Sequence, residues 1–190
     1  MLKHIVCGAA AGLAALAISG LLPASTVRAQ QLDQILRGYE IAANQGIPLN
    51  LKRKDWFSVG LGSYLVNTTG CNDCHTNPNW APGGNPYVLG QPEQINTAQY
   101  LSGGRQFTTP AGMFTSANIT PDKNDLPAGL TLQGFLEVMH TGHDPGDPPG
   151  DLLQVMSWPL YRWKTDSDLI AIYAYLQAIP SLPDNPNPGP

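Results

Sequence analysis

Hydrophobic positions along the chain fall into five blocks separated by polar, Gly- and Pro-rich stretches. The first, Ile5 to Leu22, is continuously apolar behind Lys3. It is followed by Val27-Arg28-Ala29, with small or apolar residues where a signal peptidase reads. That is a secretory leader pattern, and cleavage is expected between Ala29 and Gln30. The run is near the lower limit for a membrane span, so a retained N-terminal anchor is the alternative. No later segment is apolar enough to cross a bilayer.

The remaining blocks are periodic. Leu32, Ile35, Leu36 and Tyr39 recur at helical spacing and predict a helix over 32–43. An irregular link through Ile47-Pro48-Leu49 leads to a second helix over 56–67. Gly60 and Gly62 each lower that helix's propensity by about 1 kcal/mol, a cost that close approach of another backbone would explain. Residues 131–141 predict a helix with Thr131 as N-cap and Leu132, Phe135, Leu136 and Met139 on one face. Thr165-Asp166-Ser167-Asp168 reads as a capping box. It opens a final helix with a stripe of Leu169, Ile172, Tyr173, Leu176 and Ile179 that Pro180 ends. Between Thr76 and Gly129 there is no sustained period, only an expectation of short strands around Arg105-Gln106-Phe107. A loop this long is unusual unless it wraps something. The tail S-L-P-D-N-P-N-P-G-P is expected to be extended and flexible.

Loss of residues 1–29 from the 190 leaves 161, which suits one elaborated domain, and moves the formal charge from −4 to −6. No basic stripe is present, which argues against nucleic acid as a partner. Acidity favours a protein partner with a basic docking patch. Cys7 leaves with the leader, so only Cys71 and Cys74 remain, in the spacing C-x-x-C-H with His75. Two thiols are too few for a disulfide scaffold or a four-cysteine zinc site, and the Gly/Pro/Asn-rich setting is wrong for a thioredoxin-like dithiol. On a helical turn, Cys71, Cys74 and His75 share one face. Both thiols can then bond one porphyrin edge while the imidazole reaches the iron, giving one covalently attached haem c. That group also gives the loop-rich middle something to wrap.

The second axial ligand decides between electron transfer and small-molecule chemistry. Candidates are Met113, Met139, Met156, His140 and His143. Met139 lies on a core stripe and His143 in an acidic turn-rich loop. Met156, on a non-periodic stretch before Trp158-Pro159, fits best, with Met113 next and the histidines behind. Trp80, Trp158 and Trp163 are expected to pack against porphyrin or core.

Three segments carry a family resemblance: G-S-Y-L-V-N-T-T-G-C-N-D-C-H-T, S-A-N-I-T-P-D, and V-M-S-W-P-L-Y-R-W-K-T-D-S-D-L-I-A-I-Y-A-Y-L-Q-A-I-P. Over about residues 58 to 180, the chain resembles class I type c-cytochromes, within them the cytochrome c domains and subunits of periplasmic dehydrogenases. The resemblance implies a mainly α, cytochrome c-like single domain of several helices around one haem, with a long loop-rich insertion. Its parts would be a signal peptide (1–29), an N-terminal helical extension (30–55), the cytochrome c domain (56–180) and a flexible tail (181–190). It implies iron ligation by His75 and Met156, and a haem pocket to which Asn118, Ile119, Pro121 and Trp158 contribute. The family often has proline where Ser157 follows the methionine, and often several haem domains or a membrane tail. The expectation is a periplasmic one-electron carrier, not an enzyme itself, serving a periplasmic dehydrogenase or a terminal oxidase chain. A haem enzyme or gas sensor with an open distal site is the competing class, and a haem-bearing subunit of a larger complex a third.

Overall fold

The computed structural model describes residues 24–189, so Lys3, Cys7 and most of the expected leader lie outside the described residues. The architecture is mainly helical. In chain order it comprises α1 (Ala24–Asn44), α2 (Trp56–Thr68), α3 (Cys71–His75), β1 (Gln106–Thr109), β2 (Gly112–Thr115), α4 (Leu132–Thr141), α5 (Trp158–Tyr161) and α6 (Asp166–Ala178). A single 3-10 turn at Thr97–Gln99 interrupts the long loop.

Helix α2 is the centre of the packing, held between α1 and α6. Its two glycines are there for close contact. A Cβ on Gly60 would meet Ile35 Cγ2 and a Tyr39 ring carbon at 2.7 Å, and Gly38 of α1 faces the Gly60 carbonyl in turn. On the other side, a Cβ on Gly62 would lie 2.6 Å from Ala171 C and 2.7 Å from Tyr175 Cβ. Ser63 Oγ donates to Gly38 O at 2.7 Å, so α1 and α2 are joined by a buried hydrogen bond as well. Thus the expected N-terminal extension packs directly on the central helix.

The caps explain where the helices start. Asp55 accepts from Ser58 N to open α2, Thr131 accepts from Gly134 N to open α4, and Thr165 with Asp168 forms a full capping box on α6. Such caps satisfy N–H groups that would otherwise lack partners. The core joins Val59 and Val66 of α2 to Leu169, Ile172, Tyr175 and Leu176 of α6, with Tyr100, Leu101, Phe135 and Met139 closing it. Phe135 and Tyr173 rings meet at 5.5 Å.

The expected short strands are an antiparallel hairpin whose register runs from Gln106 opposite Thr115 to Thr109 opposite Gly112. The tail is extended, as its prolines require, but hydrogen-bonded where a flexible segment was expected. Gly189 N donates to Gly104 O at 3.0 Å, Gln106 N donates to Gly189 O at 2.9 Å, and Asn185 Nδ2 donates to Asn77 O. Prolines suppress helix and leave carbonyls free, so the long loop's unpaired N–H groups find partners there.

Candidate functional site

Helix α3 is one turn long, and Gly70, in the left-handed region at φ 85°, turns the chain into it from α2. This sets Cys71, Cys74 and His75 on one short helix, all three half-buried and both thiols free. His75 Nδ1 lies 2.7 Å from Ala117 O. A carbonyl only accepts, so Nδ1 carries the proton and Nε2 keeps its lone pair for a metal. Burial lowers the His75 pKa, opposed by the Ala117 bond, and favours that neutral ring.

Burial pushes the Cys71 thiol up to about 11 and raises Cys74 as well. Reactive redox cysteines are normally found in settings that lower the thiol pKa, and this pair lacks that activation. A mixed zinc site would need a further ligand. His140 is engaged at both nitrogens, by Asp166 Oδ1 at 2.9 Å and Arg162 O at 3.2 Å, and His143 Nδ1 is 3.3 Å from Glu137. Among the described residues no cluster of three or more His, Cys, Asp or Glu is arranged to hold a metal ion.

The same contacts sort the candidates for a second axial ligand. Met139 is core, 3 % exposed, and Met113 sits on the outer hairpin, 64 % exposed. Met156 is half-buried in an irregular stretch. It packs against the same core cluster as Cys71, Ile119, Leu136 and Tyr161. Trp158 follows it, its ring against Gly142 and its Nε1 donating to Leu153 O at 3.2 Å, which fixes the stretch carrying Met156. Tyr161 OH donates to Thr69 O at 2.9 Å and ties α5 to the chain just before Cys71.

The expected pocket residues divide. Ile119 packs against the same core cluster as Cys71 and Met156. Asn118 and Pro121 line a cavity of about 660 Å³ walled on its other side by the tail, and that lining contains none of Cys71, Cys74, His75 or Met156. Asn118 Nδ2 donates to Leu182 O at 2.8 Å and its Oδ1 accepts from Thr120 N at 2.9 Å. Trp163 is 82 % exposed, with the Arg162 guanidinium 5.6 Å from its ring, and so belongs to no polypeptide core. Helix α5 ends before it, and the chain turns outward. Trp80 is half-buried and meets Tyr87 edge-on at 6.4 Å.

Two features were missed from the sequence. Arg105 lies close enough to Cys74 to lower its pKa, donates to Asn79 Oδ1, and has a buried Nε without a partner among the described residues. It is the only cation between Lys54 and Lys123, which was a usable signal. The second is a polar chain behind the Cys71–His75 turn. Tyr175 OH and Tyr100 OH are 2.8 Å apart, Tyr100 OH donates to Asn67 Oδ1 at 2.9 Å, and Asn72 Nδ2 donates to that same oxygen at 2.8 Å. Asn72 lies between the two cysteines, so this chain holds the turn from its inner side.

No family model matches the chain. Among characterised proteins it is similar to the fructose dehydrogenase cytochrome subunit of Gluconobacter japonicus, 28% identical over 131 residues, 69% of this chain and 23% of the relative. It is similar to the gluconate 2-dehydrogenase cytochrome c subunit of Pantoea cypripedii, 31% identical over 118 residues, 62% of this chain and 22% of that protein. A third relative is the alcohol dehydrogenase (quinone) cytochrome c subunit of Gluconobacter oxydans, 24% identical over 154 residues, 78% of this chain and 28% of the relative. The chain spans about a quarter of the length of these relatives. The likeness to cytochrome c subunits of dehydrogenases stated from the sequence is therefore borne out, and so is the mainly α class.

Proposed function

We propose that the protein is a one-electron carrier holding one haem c, attached through Cys71 and Cys74, with His75 and Met156 as axial ligands. The observation that carries this reading is the His75 ring, its Nδ1 proton committed to Ala117 O and its other nitrogen left free beside two unpaired thiols. The donor set suits the group: neutral imidazole and thioether are established haem ligands, and the pair raises the potential relative to two histidines. When bound, the haem supplies a reversible ferric/ferrous couple. The chain's own residues do the rest. Ala117 fixes the imidazole tautomer, and Trp158 and Tyr161 hold the stretch that presents Met156. Arg105 would offer its unpartnered Nε to a haem propionate, a carboxylate that the guanidinium fork fits. Ile119, Leu136 and Tyr161 pack on the same apolar cluster as Met156.

The three relatives are cytochrome subunits of dehydrogenases, which supports a dehydrogenase as electron donor and gives no support to a terminal oxidase as partner. Action outside the cytoplasm, after cleavage near Ala29, rests on the leader pattern of the sequence. The proposed protein comprises a leader at 1–29, an N-terminal helical extension over 30–55 whose helix packs on α2, a haem domain over 56–180 and a tail over 181–190.

Met156→Ala is the test. The variant should lose the weak near-infrared sulfur-to-iron band of the oxidised protein and shift its potential downward. An unchanged spectrum would assign the position to another residue. A haem-to-protein ratio of one, with haem resisting acid-acetone extraction, is expected for a single covalent group.

A further inference from the structure

The link between α1 and α2 carries a surface that the haem chemistry does not use. Three of the ten Lys and Arg residues are consecutive there, Lys52-Arg53-Lys54, in a chain of net charge −4. Lys54 N donates to Leu51 O at 3.1 Å and closes a tight turn. Arg53 sits at its tip with φ 62°, a left-handed conformation disfavoured for a side chain of that size. The turn holds Lys52 and Arg53 outward, both exposed. Lys54 is spent on Asp125 at 3.0 Å, and Asp55 is committed to Ser58 at the start of α2. Among the described residues neither Lys52 nor Arg53 has an ion-pair partner.

Beside these cations lies an exposed apolar group. Trp56 and Phe57 stack with centroids 4.3 Å apart, and Leu51, Trp56 and Phe57 are 41%, 40% and 51% exposed. The Tyr39 ring supports Trp56 from beneath at 5.9 Å, and Tyr39 OH donates to Trp56 O at 2.9 Å. The aromatics are thus held rigidly while remaining accessible. None of these residues lines either described cavity, so the surface is an edge rather than a groove.

We infer that Leu51, Lys52, Arg53, Trp56 and Phe57 form a peripheral docking surface for an anionic phospholipid bilayer. The charge complementarity points to that occupant. Cations flanking Trp and Phe match the chemistry of the bilayer interface, where amphipathic rings sit at headgroup depth and Lys and Arg meet anionic lipid. A flat surface also suits a convex edge better than it suits a pocket. No described helix is long and apolar enough to cross a membrane.

The test uses the holo-protein purified from its exported form, co-sedimented with vesicles of phosphatidylcholine alone or mixed with phosphatidylglycerol. Wild type should sediment with the mixed vesicles and be released by high salt, as screened charges require. Reversing two cations in K52E/R53E should weaken the partition by at least about thirtyfold. W56S/F57S should weaken it at both low and high salt. Haem absorbance and potential, read on the same samples, report the electron-carrier reading independently. Equal sedimentation of wild type and K52E/R53E overturns the proposal, as does equal binding to neutral and mixed vesicles. So does a wild type that ignores vesicles yet is retained by an acidic protein through these residues.

Discussion

Gly62→Ala sets helix propensity against packing, and the structure decides which wins. Alanine in a helix interior is favoured over glycine by about 1 kcal/mol, so propensity alone predicts stabilisation. Here the new Cβ would lie 2.6 Å from Ala171 C and 2.7 Å from Tyr175 Cβ. Carbon atoms in contact sit about 3.5–4.0 Å apart and the Ala171 carbonyl oxygen lies nearer still, so α2 and α6 must part by at least about 1 Å. A gap of that size forfeits roughly a quarter to a half of each dispersion contact it opens. The contacts at risk are among the most buried in the protein, since Val59, Val66 and Leu169 are 0% exposed and Ile172 and Leu176 2%. Overpacking costs about 1–3 kcal/mol, and the upper end applies because the obstacle is backbone and the base of a side chain. Subtracting the propensity gain leaves a net loss of about 2 kcal/mol, or a fall of about 4–8 °C in Tm for a chain of this length.

Gly134→Ala is the matched control. Its Cβ would meet Pro145 Cγ at 3.5 Å and Leu130 Cδ2 at 3.6 Å, ordinary contact, so the variant should gain up to about 1 kcal/mol. Urea titration of both holo-proteins, followed by far-ultraviolet circular dichroism, should move the two midpoints in opposite directions with m unchanged. If Gly62→Ala is as stable as wild type, or both variants shift together, the reading of α2 as a closely packed central helix is wrong.

Other outcomes follow from individual contacts. The Ser58 hydroxyl and N–H hold the Asp55 carboxyl below the usual carboxylate range. A depressed folded pKa adds stability that is present above the unfolded value near about pH 4 and is lost as pH falls through the folded value. Asp55→Ala should therefore cost about 1 kcal/mol at pH 7, and its gap to wild type should close in strong acid, as urea midpoints across pH would read. Tyr100→Phe and Tyr175→Phe should each cost about 1–2 kcal/mol by stranding a buried hydroxyl or amide, and the double mutant should be non-additive by at least about 0.5 kcal/mol. Deleting 183–190 should expose Gly104 and Gln106 backbone groups and speed proteolysis of the hairpin, measured by limited digestion.

What the sequence made legible was local. Thr131 and the Thr165/Asp168 box cap helices as their spacing indicates, and Gly60 and Gly62 sit at close contacts because nothing else justifies two glycines in one helix. What it did not disclose depends on partners far away along the chain. Gly38 reads as an ordinary helix blemish until Gly60 is seen against it. Asn67 bonds Tyr100 33 residues on, Tyr100 meets Tyr175 75 residues on, and Asn77 meets Gly189 112 residues on, separations at which no periodicity speaks. Asn118 is polar enough for a pocket or a turn, and only the tail's carbonyls explain where its amide goes. Trp163 shows the limit of arguing burial from residue type, because the one-turn helix before it ends too soon to bring the ring inward.

The tail's attachment reaches further than stability. Leu182 and Asp184 hold the Asn118 amide, Asn118 follows Ala117 directly, and Ala117 O receives the His75 proton. Ligand basicity at an iron depends on how strongly the ring's distal N–H is engaged. If His75 ligates iron as proposed, residues 182–184 would bear on the redox couple through the backbone that holds its ring. Slackening that strap would retune the driving force for electron transfer while every residue touching the haem stayed the same.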